Sequence, residues 1–182
     1  MCGSYCTFDR AVRALERLCA EYADVTPIMS ENAYKTNTRF GRAADFNEKI
    51  ETLCAHKILH TIEAAEPIGP GGVLDVLVIA PCTGNTLSKL ASGITDTTVT
   101  MAAKAQLRNE RPVLIGISTN DALSGSAPAL GTLLGRRNVY FVPFYQDDPT
   151  GKPTSLVANL EQLNAAVAAA LDGRQLQPII SK

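Results

Sequence analysis

The chain has 182 residues, of which 46% are hydrophobic and 19% charged, with 17 lysines and arginines against 18 acidic residues. This length and composition are typical of one globular domain over residues 1–182, and the balanced charge argues against a nucleic-acid-binding surface. The apolar runs are too short to span a membrane and the start lacks a secretory signal, so we expect a cytoplasmic protein.

The five cysteines are an odd number without a CxxC pair, and the chain has only two histidines. This pattern argues against a zinc site or a disulfide framework, so we expect free thiols and no metal. Cys2, Cys6 and Cys82 could line a ligand site. Cys19 and Cys54 are expected to be small buried core residues.

The first third of the chain begins with a helical pattern. Residues 7–22 place Phe8, Val12, Leu15 and Leu18 on one helical face. A strand is predicted next, followed by a polar segment and a second helix; their ranges are 24–29, 30–41 and 42–55.

A glycine-rich stretch at 69–72 is expected to be a loop, and the continuously apolar residues 73–80 predict a parallel strand buried on both faces. Strands are also expected at 112–118 and 139–144, and helices at 84–92, 96–109, 121–135 and 155–171. This alternation predicts an α/β fold, a three-layer, doubly wound parallel sheet of the Rossmann-like or flavodoxin-like type.

The chain opens on MCGSYCTFDRA, which has the character of the loop and helix start that normally follow a first strand. We therefore expect that a segment of about ten residues carrying a central first strand is missing upstream. A start codon assigned too far downstream is the alternative. In either case the core would contain a gap.

Polar side chains follow several predicted strands. Ser30 ends the strand at 24–29, APCTGNT occupies residues 80–86, and Ser118-Thr119-Asn120 ends a later strand. Because the carboxyl ends of parallel strands meet at one edge, these side chains are expected to form a polar rim there. Such neutral donors suit a phosphate ester or a carboxylate.

Gly3 and Ser4 precede a helix, where backbone N–H groups favour an anion, although Ser4 or Thr7 could equally be a plain N-cap. Four basic residues could add charge to the rim, or could simply be solvated surface residues: Lys35, Arg39, Arg42 and Lys89.

The stretch DVLVIAPCTGNTLSKLASGITDTTVTMAAKA resembles the flavoprotein family of FMN-binding cysteine decarboxylases and prenylated-flavin enzymes. That family has a Pro-Ala-Ser-Ala-Asn-Thr core at this place. Further motifs between residues 36 and 180 are similar to one branch of it; they include TNTRFG, AEPIGP, MAAKAQLRN, STNDAL, YFVPFYQDDP and QLQPII.

The branch resemblance implies one subunit of a two-subunit oxidoreductase, which aromatises a small cyclic dicarboxylate in the mother cell of a sporulating bacterium. It implies NAD(P) on the companion subunit, which agrees with the absence of a GxGxxG motif from this chain. It also implies a trimer-based homo-oligomer. Two alternatives remain open, a free-standing FMN-dependent decarboxylase and a non-catalytic assembly subunit.

The family resemblance also implies FMN as a possible cofactor and assigns residues to it and to the substrate. The residues expected to contact FMN are Gly3, Ser4, Ser30, Pro81, Thr83 and Ser118. Those expected to contact the substrate are Arg39, Asn85, Thr86, Lys89 and Asn120.

Two departures from the family bear on the reaction. The decarboxylases end the later strand with Pro-x-Met-Asn, whereas GISTNDAL here keeps only Asn120. This argues against peptidyl-cysteine and phosphopantothenoylcysteine as substrates. The family's catalytic histidine lies before the central strand, so His60 is the candidate catalytic residue, the alternative being a residue that merely ends a strand.

Overall fold

The structure, a computed structural model, describes residues 1–71 and 74–181. A short 3₁₀ helix, Tyr5–Thr7, leads into the first α-helix. The α-helices are α1 (Phe8–Glu21), α2 (Glu31–Lys35), α3 (Ala43–Cys54), α4 (Ile62–Ala65), α5 (Ile68–Gly71), α6 (Gly84–Ala91), α7 (Thr98–Arg108), α8 (Ala127–Leu134) and α9 (Leu163–Leu171).

Most of the predicted helices are confirmed, with ends that move by a few residues. The helix expected over 121–135 begins later, at Ala127, because residues 121–126 form turns. The loop expected at 69–72 is corrected, since Ile68–Gly71 forms the short helix α5, while Gly72 lies outside the described residues.

Three parallel strands form the centre of the sheet: β1 (Leu77–Cys82), β2 (Val113–Thr119) and β3 (Val139–Phe141). β2 lies between the other two, with Leu77 of β1 and Val139 of β3 both opposite Val113. The predicted strand at 73–80 is therefore present from Leu77, and its predicted first residue, Val73, lies outside the described residues.

Two further strands make the sheet mixed rather than purely parallel. β4 (Phe144–Tyr145) pairs with β5 (Leu156–Ala158), and β5 runs antiparallel to the end of β2. This corrects the helix predicted over 155–171, whose first residues form β5. They extend the sheet because Ser118 and Thr119 of β2 are free to pair with them beyond the end of β3.

The strand expected at 24–29 is also corrected, because only Ile28 makes a sheet contact there, a parallel bridge to Leu59. Pro27 has no N–H group and cannot donate to a ladder. On the other side of Ile28 lies the start of the chain: the Met1 nitrogen donates to the Ile28 carbonyl at 2.5 Å and the Met1 carbonyl accepts from Ser30 N–H at 2.9 Å. The Cys2 N–H donates to the Pro81 carbonyl at 3.0 Å, which joins this segment to β1.

Two helical layers cover the sheet. Leu77 and Ile79 pack in the cluster that contains residues of α6, α7 and α8, whereas Ala80 and Leu114 pack against α1 and α9. Successive residues of β1 therefore point to opposite layers, as the pleat of a strand requires. A third cluster joins α1 to α2 and α3. The predicted three-layer α/β architecture is confirmed.

A cavity of about 370 Å³ lies between residues 24–29 and β1. Side chains of α1 and α9 border it on one face of the sheet, and Val99 of α7 also lines it. The expected strand upstream of residue 1 stays a prediction. Among the described residues, no helix is both long enough and apolar enough to pass through a bilayer.

Candidate functional site

Three hydroxyl groups meet where β2 ends beside the start of α1. The Ser4 and Ser118 hydroxyl oxygens are 2.8 Å apart, and Ser118 donates to the Thr7 hydroxyl at 3.3 Å. Thr7 in turn donates to the Ser4 carbonyl at 2.7 Å. Ser4 and Thr7 occupy the N-cap positions of the 3₁₀ helix and of α1, but neither side chain accepts a capping hydrogen bond.

Ser30 and Thr83 do cap helices. The Ser30 hydroxyl accepts from Ala33 N–H at 3.3 Å at the start of α2, and the Thr83 hydroxyl accepts from Thr86 N–H at 3.3 Å at the start of α6. The hydroxyls of Thr83 and Thr86 are also 3.2 Å apart. These two hydroxyls therefore stabilise the first turns of α2 and α6.

Met1 and Cys2 connect these groups, because their backbone pairs with Ser30 and Pro81 and the Thr86 hydroxyl donates to the Cys2 sulfur at 3.4 Å. We call this set the hydroxyl rim; its members are Ser4, Thr7, Ser30, Thr83, Thr86 and Ser118. Three helices begin at this rim, and their first N–H groups carry partial positive charge. The rim therefore offers neutral donors to a phosphate or a carboxylate.

An aspartate that the sequence analysis did not single out lies beside the rim. Asp121 accepts from the Thr119 hydroxyl at 2.5 Å and from the Ser126 hydroxyl at 3.0 and 2.9 Å. These three side chains press against Gly84, the first residue of α6. The run Ser-Thr-Asn-Asp at a strand end was the available signal for this cluster.

Four other residues that were predicted to contact FMN or substrate lie next to residues of the rim or in the segments that carry it. Asn85 and Asn120 are exposed next to it, following Gly84 and Thr119 respectively. Gly3 lies against the Tyr5 ring, and Pro81 is buried in β1.

Neither of the two predicted cations, Arg39 and Lys89, forms a hydrogen bond with a member of the hydroxyl rim among the described residues. The Lys89 ammonium, in the last turn of α6, is 2.8 Å from both carboxylate oxygens of Asp96. The Arg39 guanidinium lies 4.9 Å from the centre of the exposed Phe40 ring. Lys35 and Arg42 form exposed ion pairs with Glu31 and Asp45.

His60 lies beside the start of α2. It follows Leu59, which pairs with Ile28, and its ring stacks on that of Tyr34 with centroids 3.7 Å apart and planes 10° apart. Within residues 1–71 and 74–181 its Nδ1 atom is buried without a hydrogen-bond partner. Tyr34 is a neighbour that sequence reasoning missed, since the stack depends on α2 folding back over the strand end.

Cys82, next to the rim, does not provide a reactive thiolate. Burial raises the pKa of Cys82 well above its ordinary value, and the neighbouring Cys2 thiol raises it further. Cys82 is therefore a neutral thiol at physiological pH. Cys6 is exposed, whereas Cys2 is buried with Cys82. Among the described residues, no three His, Cys, Asp or Glu side chains lie together in a way that could bind a metal ion.

A phosphorylated flavin can be tested against this geometry. Ser4 and Ser118 bond to each other, and neither side chain accepts a capping hydrogen bond, so both hydroxyls can reorient to a phosphate. The N–H groups of Thr7 and Phe8 already donate to the Ser4 and Tyr5 carbonyls in the 3₁₀ turn before α1. Ser118 is only 6% exposed, which limits competition from water. The residues present fit the phosphate end of FMN.

The mostly parallel sheet and its two covering helical layers define a Rossmann-like α/β protein. The flavoprotein family matches residues 1–127, and the chain belongs to this family.

The chain is 48% identical to the B subunit of dipicolinate synthase from Bacillus subtilis (strain 168) over 98% of this chain and 89% of that protein. The crystal structure of the dipicolinate synthase B subunit from Bacillus halodurans C is similar too, with 44% identity, a TM-score of 0.90 and coverage of 99% of this chain and 92% of that one. Burkholderia xenovorans DmrB in complex with FMN, described as a cubic protein cage for redox transfer, shares the fold at 19% identity, with a TM-score of 0.66 and coverage of 94% and 92%.

Proposed function

We propose that this chain is the B subunit of a dipicolinate synthase and acts with the A subunit of that enzyme to oxidise dihydrodipicolinate to dipicolinate, pyridine-2,6-dicarboxylate, during sporulation. The observation that carries the proposal is the 48% identity to such a protein over 98% of the chain. The oxidation removes two electrons and two protons and makes the ring aromatic. It needs a substrate held still while an acceptor takes up the electrons.

The hydroxyl rim supports a role in holding the substrate. Dihydrodipicolinate carries two carboxylates, and hydroxyl donors with helix starts bind carboxylates without a fixed cation. Asn85 and Asn120 stand exposed beside the rim and supply further amide donors, with Thr86 next to them. Fixing a substrate in this way contributes several kcal/mol to an enzymatic reaction, of the order of 7–11 kcal/mol in the best cases.

FMN is the proposed cofactor of this chain, and NAD(P) that of the A subunit. FMN would be held by Ser4 and Ser118 at its phosphate, with Gly3, Ser30, Pro81 and Thr83 around it. When bound, a flavin supplies a two-electron acceptor. The chain's own groups bind and orient the ligands, and the buried strand ends exclude water from them.

His60 is the proposed proton-transfer group. An imidazole can both donate and accept a proton, and the Nδ1 atom of His60 has no hydrogen-bond partner in the described part of the chain. The stack on Tyr34 fixes the plane of the ring. Arg39 and Lys89 are proposed only as groups that could turn toward a bound dicarboxylate, Lys89 after release from Asp96.

We also propose a trimer-based homo-oligomer in the mother-cell cytoplasm. The cage formed by the FMN-bound relative DmrB supports assembly. Large apolar side chains on the surface offer contact area for other copies of the chain; those with the greatest exposure are Phe40, Ile94, Leu123, Leu134, Leu171 and Ile180.

Reconstitution tests the proposal. The purified A subunit, this chain, freshly generated dihydrodipicolinate and NADP are mixed, and the ultraviolet absorbance of dipicolinate is followed. We expect the two proteins together to exceed the rate of the partner protein without this chain. Equal rates with and without this chain would leave only a non-catalytic assembly role, and flavin-dependent decarboxylation by this chain alone would favour the free-standing decarboxylase.

The site is tested in the same assay by Asn85→Ala, because this exposed side chain makes no described hydrogen bond whose loss would disturb the fold. We expect a drop of about tenfold in stimulation, as for one lost charge-assisted hydrogen bond. Thr52→Ala, an exposed change in α3, is the matched control. If Asn85→Ala stimulates as well as the parent, the assignment to dipicolinate synthase stands and the rim is not the substrate site.

The cofactor is tested separately by titrating FMN and following flavin fluorescence. Ser4→Asp sets a carboxylate against the phosphate at the start of α1, so we expect the affinity to fall at least about tenfold. Thr132→Asp adds the same charge to an exposed face of α8 and should leave the affinity unchanged. Equal FMN affinity in both variants would mean that the phosphate does not bind beside Ser4.

A further inference from the structure

A pair of thiols lies between α1 and α3, away from the hydroxyl rim. The sulfur atoms of Cys19, in the last turn of α1, and Cys54, the last residue of α3, are 3.8 Å apart, although 35 positions separate the residues in sequence. Both are free cysteines. The two sulfurs are in van der Waals contact and need to approach by only about 2 Å to reach the length of a disulfide.

The two thiols differ in how easily solvent reaches them. Cys19 is half-buried, whereas Cys54 is 7% exposed and packs in the cluster with Phe8 and Val12. Burial and the neighbouring Cys19 raise the pKa of Cys54 to about 12. A small oxidant in solution therefore reaches the Cys19 sulfur first, whereas Cys54 is less accessible and remains a protonated thiol.

The other cysteines lack this arrangement. Cys6 is exposed but contacts no second thiol in the hydrogen bonds of residues 1–71 and 74–181, and Cys2 and Cys82 are both buried. The pair thus combines three requirements of a reversible redox site: contact between sulfurs, one accessible member and helices that can hold the product.

We propose that Cys19 and Cys54 are a dithiol–disulfide site that a hydroperoxide closes and a dithiol reductant reopens. The Cys19 thiolate attacks the peroxide, a sulfur–oxygen bond forms, the oxygen–oxygen bond breaks, and hydroxide leaves as water after protonation. Cys54 then loses its proton and attacks the Cys19 sulfur; the sulfur–oxygen bond breaks as the disulfide forms, and the hydroxide takes up the proton and leaves as water. The two sulfurs together lose two electrons, which the peroxide takes up.

The rate of the second step is limited by the burial of Cys54, which together with the neighbouring Cys19 raises the pKa of that thiol to about 12. The attack by Cys54 therefore accelerates as the pH rises. The product links α1 to α3 and closes a long loop, which stabilises the fold.

The test uses the full chain, reduced and then exposed to hydrogen peroxide. Remaining thiols are alkylated, and the protein is digested with trypsin without reduction and analysed by mass spectrometry. Cleavage after lysine and arginine puts Cys19 in peptide 18–35 and Cys54 in peptide 50–57. We expect these two peptides to appear joined, two hydrogens lighter than their sum, and to separate after treatment with dithiothreitol.

Matched variants make the outcome decisive. In Cys54→Ala, Cys19 should stop at the sulfenic acid, which dimedone traps, while Cys6→Ala should form the joined peptide as before. Oxidation should raise the melting temperature of the parent by about 5–10 °C, and reduction should restore the original value. The melting temperature of Cys54→Ala should not rise on oxidation. The proposal is overturned if Cys6 or Cys82 oxidises while peptides 18–35 and 50–57 stay separate, or if the joined peptide forms without a change in melting.

Discussion

At Gly84 the backbone comes too close to its neighbours for any side chain. A Cβ atom there would lie 2.6 Å from the Ser126 hydroxyl and 2.7 Å from both the Asp121 carboxylate and the Thr119 hydroxyl. All three neighbours are held by hydrogen bonds to one another, so they cannot move away at little cost. The glycine is required by this close approach and not by an unusual φ angle.

Gly84→Ala should therefore destabilise the protein, by roughly 1–3 kcal/mol as for other overpacked sites. Gly131 provides the matched control, because it is an exposed glycine inside α8 where an added Cβ atom would have open space within 4 Å. Gly131→Ala should stabilise by up to about 1 kcal/mol through helix propensity. Urea unfolding followed by circular dichroism measures both, and equal midpoints would contradict the steric argument.

Among the elements, α7 has the most complete start. The Thr97 hydroxyl accepts from Thr100 N–H at 3.2 Å, and the Thr100 hydroxyl accepts from Thr97 N–H at 3.1 Å, which is a capping box. Thr100, Ala102 and Ala103 are fully buried. Loss of the cap should therefore disturb core packing as well as the first turn of the helix.

Thr97→Ala should lower the free energy of unfolding by about 1 kcal/mol, and Thr97→Ser should retain most of it. Thr132→Ala, on an exposed face of α8, tests the effect of removing a threonine hydroxyl without a cap. We expect a change within about 0.5 kcal/mol there. Denaturant midpoints that fall equally for Thr97→Ala and Thr132→Ala would mean that the capping box adds nothing.

Periodicity predicted the longer elements well. The apolar run ending at Ala80 indicated a buried strand, and the patterns of α1, α3, α6 and α7 indicated helices, since both signals are local. β5 was missed because three apolar residues fit a strand or a helix equally, and its pairing partner lies far away in sequence. The strand at 24–29 was predicted too long because propensity does not show that Pro27 ends the pairing.

For the candidate site, the sequence predicted that hydroxyls follow the strand ends, because chain order alone brings those ends to one edge. It could not show that Ser4 bonds Ser118, that Lys89 pairs with Asp96 or that His60 stacks on Tyr34. Each of these contacts is fixed by the packing of α1, α6 or α2. Asp121 was missed for the same reason.

At the scale of the whole molecule, buried thiols govern the response to alkaline pH. The pKa of Cys54 is raised by burial from 9.0 to about 12, and that of Cys82 is raised as well. Between these values the unfolded chain releases the thiol protons and the folded chain keeps them. The folded state then binds more protons, so stability falls as the pH rises from about 9 toward 12.

We expect urea midpoints to be level between pH 7 and about 8 and to decline above about 9. Cys82→Ala should flatten part of this decline, whatever its effect on stability at pH 7, and Cys6→Ala, at an exposed thiol, should not. The comparison of slopes isolates the thiols from lysine and tyrosine titration. A slope unchanged in Cys82→Ala would show that this thiol does not couple folding to pH.

The cavity beside β1 bears on how this chain behaves in concentrated solution. Val76 and Val78 are only half-buried, and in the described part of the chain the cavity side of β1 is paired only through the Cys2–Pro81 hydrogen bond. Unpaired backbone groups between apolar side chains are a template on which another extended chain can add. Self-association in solution should therefore depend on what fills this cavity. The apparent molar mass measured by light scattering should rise with protein concentration while the cavity is open, and a peptide able to lie along β1 should suppress the rise.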